Sequence, residues 1–234
     1  MNYSTLFTTI KGYLENDFPD TVFTGSTGSA DTLTSAEQIN TFITQAEQRI
    51  YNTVLFPALR KNVTGTAAPN NKYLNCPLDF LAVYSIAVID GTGAYNYLLN
   101  KDVSYIREAY PVPTATGLPA YYAMFGPVSN DETELTFILG PTPDAAYTLE
   151  LHYFYYPESI TTVAGGYTWL SENYDPVLLY GSLVEAYTFM KGEPDMVANY
   201  EKKYQEALML AKRLGDGMEK QDQYRSGTPR VPVS

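Results

Sequence analysis

The residues in this 234-residue chain whose types could do chemistry are few, and each is isolated from the partners its chemistry would need. His152 is the single histidine. It sits mid-strand among aromatics, with no serine or carboxylate placed to complete a proton relay, and reads as a structural residue. Cys76, the single cysteine, precedes a proline and has neither a helix N-terminus nor a basic neighbour to lower its pKa. It reads as a small buried thiol. Asp131, Glu132 and Glu134 cluster in a Ser/Asn turn, but their spacing is not that of a calcium loop, so a solvated turn is expected. Gly25-Ser-Thr-Gly-Ser29 has no following lysine and no preceding strand, unlike a phosphate loop. Gly91-Thr-Gly93 lacks the third glycine of a dinucleotide fingerprint and opens no helix. One cysteine excludes an internal disulfide framework, and one histidine leaves little for zinc. No catalytic, cofactor-binding or metal-binding residue is expected, and the chain does not read as an enzyme.

The composition fits both contact surfaces and a tyrosine-rich β core. There are 22 tyrosines against one tryptophan, and tyrosine combines a large apolar area with a hydroxyl and few rotatable bonds. The net charge of −11 argues against general nucleic-acid binding, which needs clustered Lys and Arg. That charge is uneven. Residues 191–234 hold eight of the 15 basic and seven of the 26 acidic residues, leaving residues 1–190 at −12. The N-terminus lacks a signal-peptide pattern, and no apolar run approaches the roughly 20 residues that span a bilayer. A soluble protein folding in a reducing cytoplasm is expected.

The elements that must carry such surfaces change character along the chain. Leu6, Phe7, Ile10, Tyr13 and Leu14 have helical spacing behind a Ser4 cap. Residues 16–33, rich in Asp, Thr, Gly and Ser, predict a flexible loop. Thr34-Ser-Ala-Glu37 is a capping box. Behind it Ile39, Phe42, Ile43, Ala46, Ile50 and Val54 form one stripe, with Gln45, Glu47 and Gln48 outside it; Pro57 then kinks or restarts the helix. From Asn62 onward short β-prone runs alternate with Asn, Gly and Pro. The predicted strands are Phe80–Ile89, buried on both faces, then Tyr95–Leu99, Tyr121–Phe125, Glu134–Leu139 and Tyr147–Tyr156, with a helical turn or a short helix over 102–110. In the last strand Tyr147, Leu149, Leu151, Tyr153 and Tyr155 alternate onto one side.

Helix chemistry returns after the lone Trp169. Asp175 is the expected cap and Pro176 the first-turn residue. Val177, Leu179, Leu183, Ala186 and Met190 lie on one face, Tyr180, Val184 and Tyr187 on another. A helix apolar on two sides must be enclosed, and Gly181 and Ser182 allow a neighbour to come close. Gly192-Glu193-Pro194 breaks the chain, and a last stripe (Val197, Tyr200, Tyr204, Leu208, Ala211, Leu214) is stopped by Gly215 and Gly217. The expected fold is α+β. Residues 1–60 and 170–217 form a helical bundle, an antiparallel β sandwich or barrel is inserted at 61–169, and 218–234 is an extended C-terminal tail. Trp169, with Tyr156 and Pro157, is expected to pin the joint between bundle and β domain.

Several short motifs occur in a telling order: Phe56-Pro-Ala-Leu-Arg60, Cys76-Pro-Leu-Asp-Phe80, Gly140-Pro-Thr-Pro143, Tyr155-Tyr-Pro157, Trp169-Leu170 and Leu179-Tyr-Gly-Ser-Leu-Val-Glu-Ala186. The series resembles the head-to-tail adaptor (connector) proteins of short-tailed bacteriophages, the tail-tubular-protein-A-like group, over most of residues 34–215; residues 16–33 stand outside it as an insertion. The resemblance implies a non-enzymatic virion protein, made in the host cytoplasm and placed at the head–tail junction. It would form a homo-oligomeric ring of twelve subunits under the portal protein, extend the DNA channel without specific DNA binding, and offer a platform to the downstream tail or nozzle protein. It also implies portal docking through helical elements and a C-terminal extension, which here falls after Leu214 and centres on Tyr224, Arg225, Pro229 and Arg230. The alternative from composition is a carbohydrate- or receptor-binding β module on a helical base, with tyrosines stacking on sugars.

Overall fold

Thr34 marks the first firm boundary in the computed structural model, which describes residues 1–24, 30–112, 114–127 and 135–218. Its side chain accepts from the Glu37 N–H and Glu37 reaches back to the Thr34 N–H, so the capping box opens α2 (Ser35–Thr53) as expected. The chain divides into two compact units, one built from residues 1–58 and 158–234, the other from 59–157.

The first unit is helical apart from a small hairpin. α1 (Tyr3–Leu14) is capped by the Asn2 carboxamide, which accepts from the Thr5 N–H; Ser4, the expected cap, is already inside the helix. The predicted loop at 16–33 instead contains two paired antiparallel strands, β1 (Thr21–Thr24) and β2 (Ala30–Leu33). Its polar sequence carries no apolar alternation by which a strand could be recognised. After α2 no helix restarts at Pro57; Val54 caps the helix end and the proline opens a turn into the first strand of the other unit.

α4 (Trp169–Asn173), α5 (Asp175–Phe189) and α6 (Pro194–Met218) complete the first unit. Asp175 is not a cap. Tyr174 ends α4 and begins α5 without a side-chain cap, so Asp175 lies in the first turn, where its charge still suits the helix dipole. The side-chain cap one element earlier is Thr168, paired with Ser171. α5 packs against α1, α2, α4 and α6, which is why it is apolar all round. Gly181 is the close-approach point: a Cβ there would lie 3.2 Å from the Ala46 Cβ and 3.3 Å from Tyr204 Cε2. Gly192 is required for a different reason, because a Cβ on it would overlap the Tyr187 ring. Gly215 and Gly217 do not stop α6, which runs to Met218. Each costs about 1 kcal/mol of helix propensity without forbidding helical backbone.

The second unit holds two open four-stranded sheets. The first has the order β3-β10-β5-β6, with β3 Arg60–Ala67, β5 Phe80–Ile89, β6 Tyr95–Tyr97 and β10 Tyr147–Tyr155, all antiparallel. The second has the order β4-β9-β8-β7, with β4 Tyr73–Asn75, β7 Leu99–Asn100, β8 Tyr121–Phe125 and β9 Thr136–Gly140. Here β7 runs parallel to β8. The class is therefore α+β, but no barrel closes among the described residues and the sheets are not purely antiparallel.

Side chains of both sheets share one core. Ile86, Val88, Leu149, Leu151 and Tyr153 come from the first sheet, Tyr122, Phe137 and Leu139 from the second. The alternation along β10 is the predicted one. α3 (Val103–Ala109), capped by Asp102, covers the other side of the second sheet through Ile106, Ala123 and Ile138. All five residues of β9 are therefore buried. Phe80–Ile89 has the predicted ends, but only Ile86–Val88 is enclosed on both faces, and Tyr84 is exposed.

Candidate interaction surface

The run Tyr95–Leu99 was expected to be one strand. It is two, and they belong to different sheets: β6 pairs with β5 and β7 pairs with β8, with Leu98 buried between them. The Leu98 N–H bonds to the Ile86 carbonyl and the Leu99 N–H to the Ala120 carbonyl, so the chain changes sheet within two residues. Alternation then drives Leu98 into the core and its flanking residues outward. Tyr95, Tyr97 and Leu99 are 52%, 68% and 60% exposed. Asp90 sets the approach to this run. Its carboxylate accepts from the Thr92 hydroxyl and from the Ala94 and Thr92 N–H groups, which together hold its pKa down to about 2.

The strand register places the edge tyrosines on the outward face of the first sheet. One cross-strand row reads Thr64, Glu150, Ala87, Tyr97; the next reads Thr66, Thr148, Ile89, Tyr95. His152 stands in the row between Asn62 and Ser85, half-buried on this outward face. Asn62 donates to Glu150 at 2.8 Å. Toward the start of β3 the face becomes aromatic and basic, the Arg60 guanidinium lying 4.1 Å from the Tyr84 ring centroid and 4.8 Å from that of Phe154. Lys61, next along, pairs with Asp79, which also accepts from the Tyr153 hydroxyl at 2.8 Å. Burial alone would raise the Asp79 pKa; the bonds from Lys61 and Tyr153 outweigh it and hold the carboxyl low. Tyr153 is pushed up to about 12, by burial first and by Asp79 second.

In the helical unit the polar groups are structural fasteners. Arg49 of α2 makes a bidentate pair with Glu201 of α6 at 3.0 and 2.6 Å and lies 4.5 Å from the Tyr204 ring centroid. Glu47, placed by the sequence outside the α2 stripe, is only 3% exposed. Its carboxylate accepts from the Ile160 N–H at 3.0 Å, and burial raises its pKa against the opposing bonds from Ser159 and Ile160. The α2 stripe gave no sign of this, because the segment that covers Glu47 arrives from more than a hundred residues away. An open groove of about 290 Å³, lined by Leu33, Phe42, Thr188 and Phe189 among others, runs along α2 and α5.

Trp169 is half-buried at the start of α4, its ring 5.3 Å from that of Phe56 in the same unit. Tyr156 and Pro157 end the β-rich unit, and the Tyr156 N–H bonds to the Asp79 carbonyl. Cys76 is buried, and burial pushes its thiol up to about 12. Asp131, Glu132, Glu134, the Gly25–Ser29 stretch, and Tyr224, Arg225, Pro229 and Arg230 lie outside the described residues. Among the described residues no three His, Cys, Asp or Glu side chains group to hold a metal ion. No helix there is long and apolar enough to cross a membrane. The strand at residues 95–99 was read from the sequence; its exposed face is written there as Tyr-x-Tyr-x-Leu alternation.

The β-rich unit thus presents exposed aromatic side chains along residues 95–97, and the helical unit is fastened within itself by Arg49 and Glu201. The chain matches the SU10 adaptor protein family over residues 1–232 and belongs to it. It is thus a bacteriophage head-to-tail adaptor, a structural component of the virion. No curated protein matches it.

Proposed function

We propose that this protein forms a homo-oligomeric ring beneath the portal, continues the DNA channel and presents the attachment platform for the downstream tail protein. The family match over residues 1–232 carries this proposal. The helical unit acts as a bundle and the two sheets of the β-rich unit as a sandwich, the bundle facing the portal and the sandwich offering lateral contacts. An acidic body suits a channel through which DNA must pass without sticking, since phosphate contacts would retard it. Residues 218–234 serve as the portal-docking tail, with Tyr224, Arg225, Pro229 and Arg230 making the contacts.

The test is mass measurement of the protein alone and after mixing with the portal protein. The expected result is a monomer or small oligomer alone and a defined ring on the portal. Docking that is unchanged after deletion of residues 218–234 would refute the tail assignment, and no association with the portal at all would refute the adaptor function.

A further inference from the structure

We infer that copies of this chain associate edge to edge through the β-rich unit, the 95–100 edge of one copy meeting the β3–β4 edge of the next. This deepens the adaptor proposal by naming the surfaces through which its ring would close.

The topology makes two opposite edges out of two sheets. Only Leu98 separates β6 from β7, so both sheets end together there. Each sheet then runs three strands away, to β3 in one and β4 in the other. β3 is eight residues long, has no proline and no register shift against β10, and is exposed from Lys61 to Thr66. A long open edge of this kind is a template for another strand unless something covers it. The opposite edge carries Tyr95, Tyr97 and Leu99, which together expose roughly 350 Å² of largely apolar side chain at ordinary residue areas. That is about half the area per partner of a standard interface, leaving the remainder to main chain and polar rim.

Charge selects the pairing. Residues 60–75 contain Arg60, Lys61 and Lys72 and no acid, in a chain of net charge −11. Residues 90–102 contain Asp90 and Asp102 against Lys101. Asp79 offsets Lys61, yet Lys72 leaves the β3–β4 edge opposite in sign to the 95–100 edge. The 95–100 edge against itself would set acid on acid and leave β3 open. The 95–100 edge against β3 satisfies both. Such a contact uses two different surfaces of each subunit, so it repeats head to tail and closes when its rotation permits.

Cysteine pairs in the full-length protein test this. Tyr97→Cys is combined in turn with Asn62→Cys, Thr64→Cys or Thr66→Cys, all on the outward face of the sheet; buried Cys76 stays in place. A disulfide needs Cα atoms within about 7 Å, so only apposed edges cross-link. With a mild oxidant, at least one pair should give a ladder of covalent dimers, trimers and higher species, and no single variant should. Adding Leu99→Glu to the pair should abolish the ladder, with circular dichroism confirming the fold. Three results would each overturn the inference: no ladder from any pair, dimers alone from the Tyr97→Cys single variant, or a ladder indifferent to Leu99→Glu. Portal binding is scored separately. A ladder without portal binding leaves the edge contact standing and refutes the adaptor proposal, whereas portal-bound rings of normal mass from a Tyr97→Glu/Leu99→Glu variant refute the edge contact alone.

Discussion

Replacing Glu47 with glutamine should stabilise the helical unit at neutral pH, and the gain should vanish in acid. Glu47 is enclosed and its carboxylate is met by the Ile160 N–H, with Ser159 beside it; no cation among the described residues offsets it there. Burial penalises the charged form, so the folded-state pKa lies above the ordinary value of 4.5. The folded protein therefore binds the Glu47 proton more tightly than the unfolded chain does. By linkage, the contribution of this group is fully present below pH 4.5 and is lost as pH rises through the raised folded value. Glutamine keeps a carbonyl acceptor for Ile160 and never ionises. At pH 4 the variant should match the parent, and by pH 7 it should melt higher. Glu47→Ala separates acceptor from charge: it leaves the Ile160 N–H without its partner, at a cost relative to the glutamine variant of about 1–3 kcal/mol, or several degrees in melting temperature, at every pH. Trp169 is the sole tryptophan and packs on Phe56 in the same unit, so its fluorescence reports this unit during melting. A glutamine variant that melts below the parent at pH 7 and above it at pH 4 would refute the reasoning, by showing that the fold prefers the carboxylate.

Three further outcomes follow from the packing. Gly181→Val should cost at least about 2 kcal/mol in urea denaturation, because Ala46 and Tyr204 leave no room and overpacking outweighs the helix propensity gained. Arg49→Ala should cost about 1–2 kcal/mol, and Arg49→Lys should recover only part of it, since lysine cannot reproduce the two parallel bonds to Glu201; thermal melts of the three proteins check this. Cys76 should resist a thiol reagent at pH 8 in the folded protein and react fully in denaturant, because its raised pKa and burial both withhold the thiolate.

What the sequence determined by itself were features governed by neighbours in the chain. The Thr34–Glu37 capping box opens α2, the alternation in β10 chooses its core face, and the two-sided apolarity of α5 demands enclosure on both sides. The glycine that admits α2 and α6 to α5 was legible for the same reason. What tertiary structure alone decided were pairings between distant segments. Tyr95–Leu99 looks like one strand because alternation is local, but its halves satisfy their hydrogen bonds in different sheets. Glu47 looks exposed because helical periodicity knows only its own helix, and Ile160 arrives from outside it. Asp175 looks like a cap until α4 ends directly against α5, and glycine's modest penalty does not end α6 at Gly215. Local chemistry sets what each segment can become; the competition for buried area and hydrogen-bond partners sets which segments meet.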